Sequence, residues 1–242
     1  MDPAEKRHFK TRLYEQFARM GKALANPHRL ELLDVLSQGE RPVEALAEAT
    51  AISVANASQH LQILRTARLV ETRRAGVSIY YRLASQAVSL LWLSLRACGE
   101  EHLAEVDQLV ATFLQDRAAL CPMTLEELRE AMREERIILL DVRPTLEYQA
   151  GHLPQASSLP ITEVEERLWE LPQDREVVAY CRGPYCIFAD EAVTVLHAHG
   201  YSARRLQEGV PEWRKLGFPV AVSHEEGKAD ADHFRGNPLD LA

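Results

Sequence analysis

The residues best suited to covalent chemistry are consecutive: Cys181, Arg182, Gly183, Pro184, Tyr185 and Cys186. They follow Val177–Tyr180, an apolar run suited to a buried parallel strand, and precede a helical pattern over roughly Ala189–His199. A tight loop between a strand end and a helix N-terminus gathers backbone N–H groups, and with the helix dipole these favour an anion. Open α/β sheets place their ligand sites beyond such strand ends. Cys181 is therefore expected to have a lowered pKa, helped by the positive charge of Arg182, and the thiolate is the reactive species. Gly183-Pro184 supplies the sharp turn. A buried structural cysteine is the bland reading of Cys181, and the adjoining arginine and Gly-Pro turn argue against it. Cys186 reads in two ways: it resolves a persulfide or sulfenate on Cys181 as a disulfide, or it packs as an inert thiol.

A second constellation suits nucleic acid. Ser53 caps a helical pattern whose inner face is Val54, Ala57, Leu61 and Leu64. The opposite face presents Asn56, Gln59 and Gln62, with Ser58, His60 and Arg65 at its margins. Asn and Gln can read base edges in the major groove. Two strand-like runs, Leu69–Arg74 and Val77–Leu83, meet at Ala75-Gly76 as a hairpin. Its Arg73 and Arg74 are placed to reach phosphates, contacts that supply affinity rather than sequence information. For His60, simple packing is the rival reading to a phosphate contact.

Other elements must position these residues. Leu13, Phe17, Met20 and Leu24 define one face of a first helix over Leu13–Ala25. Asn26-Pro27 starts a second, Pro27–Ser37, with Leu30, Leu33 and Leu36 inward, and Gly39 ends it. Pro42–Glu48 is a short third helix, and a long helical pattern covers Ala84–Arg117. Three helices, a polar-faced helix and a basic hairpin follow the order of a winged helix-turn-helix. Beyond it, Thr124 and Glu127 form a capping box, and Ile137–Val142 is a continuous apolar strand of an α/β domain. The expected organisation is two domains. Residues 10–117 are a mainly-α winged helix that binds DNA, and residues 123–222 are an α/β unit with a mostly parallel sheet. Residues 223–242 are a flexible tail, whose His224 and His233 lack ligand spacing.

Composition bounds the function. The 242 residues suit two domains, and 46% apolar with 26% charged residues argues against wholesale disorder. No run approaches the ~18 apolar residues of a membrane span. The charged N-terminus lacks a signal-like core, so no membrane role and a cytoplasmic location are expected. Four cysteines, Cys98, Cys121, Cys181 and Cys186, do not make a disulfide scaffold in a chain this long. The net charge of −8 is unevenly placed: Met1–Leu120 carries +1 and Cys121–Ala242 carries −9. Ser53–Arg82 holds five arginines against Glu71, a basic strip in an acidic protein.

The segment Leu24–Leu83 resembles the ArsR/SmtB family of bacterial repressors. "LANPHRLELLDVL" and "ASQHLQILRTARLVETRRAGVSIYYRL" carry the likeness, especially Ser58-Gln59-His60-Leu61 with Arg65 and Leu69-Val70. The resemblance implies a homodimer through the first and last helices, and two-fold symmetry then implies a pseudo-palindromic double-stranded DNA operator. Apolar Leu90, Leu91, Trp92 and Leu95 fit such an interface. The family's usual metal sites have no counterpart: Glu40–Leu46 has no cysteine, and His102 and Asp107 supply too few ligands for a closed zinc site. No metal and no cofactor are expected. Cys98, the one thiol of the winged-helix domain, reads as a small packed hydrophobe or as a redox- or persulfide-responsive thiol at the interface.

Thr124–Val222 resembles a rhodanese (sulfurtransferase) domain, carried by "LLDVRPTLEYQAGHLPQASSLP", "VVAYCRGPYC" and "EGVPEWRKLGFPV". The resemblance implies that Cys181 attacks a sulfane sulfur and carries it as a persulfide, cradled by the amides of Arg182–Cys186. Asp141 and Arg143 are expected to order the loop, and Glu147 and His152 to be structural. The sixth loop position is Cys186, where thiosulfate-using members usually place a cation or hydroxyl. A low-molecular-weight persulfide or polysulfide is therefore the expected sulfur donor. Together these features indicate a DNA-binding regulator, a repressor by resemblance, whose second domain senses or handles reactive sulfur, with Cys98 and Cys121 as further redox thiols. A sulfurtransferase carrying a DNA-binding module, a redox sensor with little turnover, and an idle rhodanese unit stand as alternatives.

Overall fold

The computed structural model describes residues 1–114, 117, 120 and 122–222. Cys121 and the 223–242 segment, with His224 and His233, lie outside the described residues. The chain divides into two compact units, Met1–Cys98 and Gly99–Ala242.

The first unit runs α1 (Pro3–Leu24), α2 (Pro27–Ser37), β1 (Arg41–Pro42), α3 (Val43–Ala49), α4 (Val54–Thr66), β2 (Val70–Ala75), β3 (Ser78–Leu83) and α5 (Gln86–His102). Local signals set its boundaries. Asp2 and Glu5 form a capping box for α1, Asn26 caps α2 with Pro27 in its first turn, and Ser53 accepts from the Asn56 N–H to start α4. The first helix thus begins ten residues before the apolar pattern of Leu13–Ala25. β1, β3 and β2 form an antiparallel sheet in that order, with Val70 opposite Leu83 and Ala75 opposite Ser78. The core gathers Leu32, Leu33, Leu36, Leu46, Leu61, Leu64, Leu69, Tyr81 and Val88. Leu32 and Val35 are buried while Leu30 is only half-buried, so α2 presents a wider inner face than Leu30, Leu33 and Leu36 alone.

α1 and α5 keep apolar faces uncovered. Met20 and Leu24 pack on the core, but Leu13 and Phe17 are exposed beside Phe9 and Tyr14, and Leu90, Leu91 and Leu95 are exposed on α5.

The second unit runs α6 (Ala104–Phe113), α7 (Leu125–Arg133), β4 (Ile137–Asp141), α8 (Thr145–Ala150), β5 (Ser157–Ser158), α9 (Val164–Arg167), β6 (Glu176–Tyr180), α10 (Phe188–Ala198), β7 (Ala203–Arg205) and α11 (Val210–Lys215). The single helix expected over Ala84–Arg117 is therefore two, α5 and α6. Leu103 separates them with an extended backbone (φ −110°, ψ 97°) that interrupts the helical ladder. Thr124 and Glu127 make both bonds of the capping box at α7. The four strands are parallel, in the order β5-β4-β6-β7, with Asp141 opposite Tyr180. Both sheet faces are covered. Leu140, Val177 and Ala179 pack in one cluster with α10 residues Ala192, Val193 and Leu196. Leu139, Val178 and Tyr180 pack in another with Leu128, Val210 and Trp213. Strands buried on both sides explain the unbroken apolar runs in the sequence. Among the described residues no helix is long and apolar enough to cross a membrane.

Candidate functional site

β6 ends at Tyr180, and the chain turns through Cys181–Ile187 into α10. Gly183 has φ +146°, a conformation reserved in practice for glycine, and it lets the loop close. A second glycine acts at a distance: a Cβ on Gly209 would meet the carbonyls of Cys181 and Arg182 at 2.8 and 2.7 Å, so the backbone before α11 can lie directly against the loop's start.

Cys181 is 1% exposed. Its thiol donates to the Cys186 carbonyl at 3.5 Å and lies 4.0 Å from that of Gly183. The N–H groups of Gly183 and Ala189 point at its sulfur, and it also hydrogen-bonds the Cys186 thiol. Burial dominates: the Cys181 pKa is pushed well above the ordinary thiol value. The lowered pKa expected of this residue is thus overturned, because desolvation, with the bond to and the charge of Cys186, outweighs the amides. Cys186, half-buried, carries the opposite shift and is lowered to about 7. The hydrogen bond from Cys181 contributes most; burial opposes it, and the N–H groups of Arg182 and Phe188 and the charge of Arg182 add to it. The cradle is therefore divided between two sulfurs, with the thiolate favoured on Cys186.

Arg182 does not point its charge freely at a thiol. It holds Glu147, a fully buried carboxylate, through Nε at 3.0 Å and Nη2 at 2.6 Å, and its guanidinium lies 5.5 Å from the Phe188 ring. Glu147 is thus a positioning partner of the loop. Asp141 and Arg143, both fully buried, form a bidentate pair. Asp141 also accepts from the Tyr180 hydroxyl at 2.6 Å, and that oxygen accepts from the Leu153 N–H at 3.0 Å. The pair thereby meets the loop at the residue before Cys181. Burial works against the Arg143 charge, but the hydrogen bonds and charge of Asp141 prevail and raise its pKa. His152 is 6% exposed, stacks on Tyr148 at 3.7 Å and bonds the Tyr148 carbonyl through Nδ1; burial lowers its pKa. Tyr185 is exposed at the loop's outer edge.

A cation cluster adjoins the loop. Arg117 donates through Nε to Asp190 at 2.7 Å, through Nη1 to the Pro184 carbonyl and through Nη2 to the Cys186 carbonyl at 2.8 Å. Asp190 also faces Arg205 Nε at 2.8 Å. Arg205 is 4% exposed; burial lowers its pKa against the pull of Asp190. Sequence reasoning missed all three. The one available signal is an arginine inside the buried strand Ala203–Arg205, since a fully buried arginine requires a partner.

In the first unit, α4 presents Gln59, Gln62 and Arg65 to solvent, with Asn56 and Ser58 partly exposed, while Ala57, Leu61 and Leu64 are buried. His60 turns toward α2 instead: its ring lies 5.5 Å from that of His28 and its Nδ1 is buried without a hydrogen-bond partner. Burial first, then Arg29 and His28, lower its pKa. Arg74 is exposed, its Nε 3.3 Å from the Gly76 carbonyl. Arg73 is engaged by Glu40 and lies 4.9 Å from the Tyr80 ring centre. Cys98 is exposed on α5, so it is not a residue packed within its own unit. Among the described residues no cluster of three or more His, Cys, Asp or Glu could hold a metal ion.

Comparison with known proteins matches both halves. A rhodanese-like domain covers residues 124–216 and a helix-turn-helix domain covers residues 24–73. The chain is 44% identical over 221 residues to the HTH-type transcriptional regulator Rv0324 of Mycobacterium tuberculosis, covering 91% of this chain and 97% of that protein. It is 33% identical over 89 residues to a sulfurtransferase of Allochromatium vinosum, 36% of this chain and 81% of that one. A solution structure of the homodimeric winged helix-turn-helix DNA-binding domain of Mb0332 from Mycobacterium bovis, a possible ArsR-family regulator, is 49% identical; it covers 39% of this chain and 87% of that one, with a TM-score of 0.38. With its winged helix and its four-stranded parallel unit, the chain belongs to the family of HTH-type transcriptional regulators that join an ArsR/SmtB-type DNA-binding domain to a rhodanese-like domain.

Proposed function

We propose that the protein is a homodimeric repressor that releases or tightens its grip on a pseudo-palindromic DNA operator when a low-molecular-weight persulfide or polysulfide modifies the Cys181–Cys186 loop. α4 would enter the major groove with Asn56, Ser58, Gln59 and Gln62 at base edges, and Arg65 and Arg74 would contact phosphates. The uncovered apolar faces of α1 and α5 support dimerisation.

The observation that carries the sulfur reading is the pairing, within one tight loop, of a buried Cys181, whose thiol donates to the Cys186 carbonyl at 3.5 Å, with a half-buried Cys186. As a donor RSSH approaches, the Cys181 proton passes to Cys186, and the Cys181 sulfur attacks the sulfane sulfur. The departing RS⁻ takes the proton from Cys186 and leaves as RSH, Cys181–S–SH remains, and Cys186 is a thiolate again. Cys186 thiolate can then attack the Cys181 sulfur, expelling HS⁻ and leaving the Cys181–Cys186 disulfide. The two thiols are oxidised and the donor's sulfane sulfur is reduced. An attacking thiol with a pKa near ambient pH is the most effective one.

The test uses the full chain and its Cys181→Ser variant, a fluorescent duplex selected by the reduced protein from a random pool, and glutathione persulfide as donor. Wild type should change affinity on donor addition and the variant should not. Sulfur transfer to cyanide, measured in parallel, separates the readings. Fast transfer with unaltered DNA binding identifies a sulfurtransferase that carries a DNA-binding module, and an equal response without Cys181 moves the input to Cys98 or Cys121.

A further inference from the structure

We propose that Arg117 is the residue that reads the state of the thiol loop and passes it to the end of α6. The inference rests on the sensor reading above and names its transmitting contact. Arg117 lies four residues after Phe113, the last residue of α6, and its N–H bonds the Leu114 carbonyl at 3.1 Å. Its guanidinium spans three acceptors of the second unit: the carbonyls of Pro184 and Cys186, both within the thiol loop, and the Asp190 carboxylate in the first turn of α10. The Arg117 and Asp190 side chains are largely out of solvent, at 14% and 15% exposure. Asp190 is held from its other side by Arg205, itself nearly buried.

The decisive feature is the Cys186 carbonyl. It accepts from Arg117 at 2.8 Å and from the Cys181 thiol at 3.5 Å. The atom that Arg117 grips is therefore also the atom that senses whether Cys181 carries a proton. Once Cys181 carries a persulfide, its Sγ has no proton to donate to that carbonyl. Its extra sulfur, bonded at about 2.05 Å, must also fit around a residue that is 1% exposed. A Cys181–Cys186 disulfide acts on the same residue from the other side, by drawing the Cys186 sulfur to that bond length. Either product displaces Cys186 and its carbonyl. Arg117 must then follow the carbonyl or break a bond, and Asp190, anchored by Arg205, keeps it from following freely. Arg117, and through its N–H bond Leu114 at the end of α6, is thus fastened to the loop in the reduced state and loosened by sulfur loading. Arg117 touches neither sulfur in this scheme and is a positioning residue.

The test compares the full-length wild type with Arg117→Gln, using the selected duplex and glutathione persulfide as before. Mass spectrometry confirms equal sulfur loading, and reduced-state DNA affinity serves as the control for folding. Allosteric couplings of this kind span about five- to 150-fold in affinity. The wild type should shift within that range, while Arg117→Gln should load sulfur normally and shift less than about fivefold, below that coupling range. Hydrogen exchange in the wild type should rise after loading in peptides spanning residues 104–117, and in the variant it should be high with or without donor. A variant that keeps the full shift overturns the role of Arg117 alone, as does exchange that loading leaves unchanged in the wild type. A wild type that loads sulfur without changing its DNA affinity overturns the sensor reading and this inference with it.

Discussion

Replacing Cys181 with alanine offers the sharpest test of how the two thiols share a proton. The hydrogen bond from Cys181 is the largest influence lowering Cys186 from 9.0 to about 7, ahead of burial, which opposes it, and of the smaller help from Arg182 and Phe188. Hydrogen bonds to charged groups are worth about 1.5–3 kcal/mol and one pKa unit corresponds to about 1.36 kcal/mol, so Cys181→Ala should raise the Cys186 midpoint by about one to two units. In the wild type roughly half of Cys186 is thiolate at neutral pH, against about 1% for a thiol titrating at 9.0. Lower basicity also weakens the nucleophile: a Brønsted slope of about 0.4–0.5 over two units costs about six- to tenfold, leaving a net gain of about five- to eightfold. Iodoacetamide labelling from about pH 5.5 to about 9.5, resolved by peptide mass spectrometry, reads both cysteines against the thiolate fraction. The midpoint is the diagnostic quantity, because partial burial slows labelling equally at every pH. Cys186 should reach half-maximal labelling near pH 7, and Cys181 should label only at a much higher pH. A Cys186 midpoint that Cys181→Ala leaves unmoved, or a Cys181 that titrates first, would refute the reasoning.

Other substitutions test the remaining parts. Arg143→Met should destabilise the protein by about 3–5 kcal/mol in urea unfolding, because it strands the buried Asp141 carboxylate; adding Asp141→Asn should restore part of that loss. Gly209→Ala forces a Cβ against the carbonyls of Cys181 and Arg182, so sulfur transfer to cyanide should fall by an order of magnitude or more, about 1.4 kcal/mol in barrier, with a lower melting temperature. On DNA, Gln59→Ala or Gln62→Ala should cost about 1–3 kcal/mol of discrimination between sequences, whereas Arg74→Ala should weaken all sequences alike and reduce the salt slope by about one. His152 is lowered by burial, so the unfolded chain binds the proton more readily. Stability from this group is present above the unfolded value of about 6.5 and declines as pH falls through it toward the folded value, and His152→Gln should flatten that part of a melting-temperature profile.

What the sequence makes legible follows from how locally each feature is determined. Thr124 and Glu127 lie within one turn and their capping box forms as expected, and β4 and β6 lie within a residue of the apolar runs that announce them. The polar face of α4 follows from helical spacing. His60 escapes the same reasoning because its direction is set by His28 on another helix. The proton balance of Cys181 and Cys186 depends on how deeply each is buried and on how closely the loop brings them together, which spacing does not encode. Arg117, Asp190 and Arg205 are separated by tens of residues and meet only when the chain closes.

The double burial of β6 sets one further constraint, on which way the reacting sulfur faces. Tyr180 belongs to the cluster with Trp213 and Leu128, while Cys181 belongs to the opposite one, with Ala189 and Val193. Which side of the sheet receives the thiol is therefore a matter of odd or even position along the strand. Inserting or deleting one residue in Glu176–Tyr180 would exchange the two, aiming Tyr180 toward α10 and the thiol toward Trp213, with the loop sequence intact. Evolution can vary the loop's chemistry residue by residue, but the length of the strand before it can change only in steps of two.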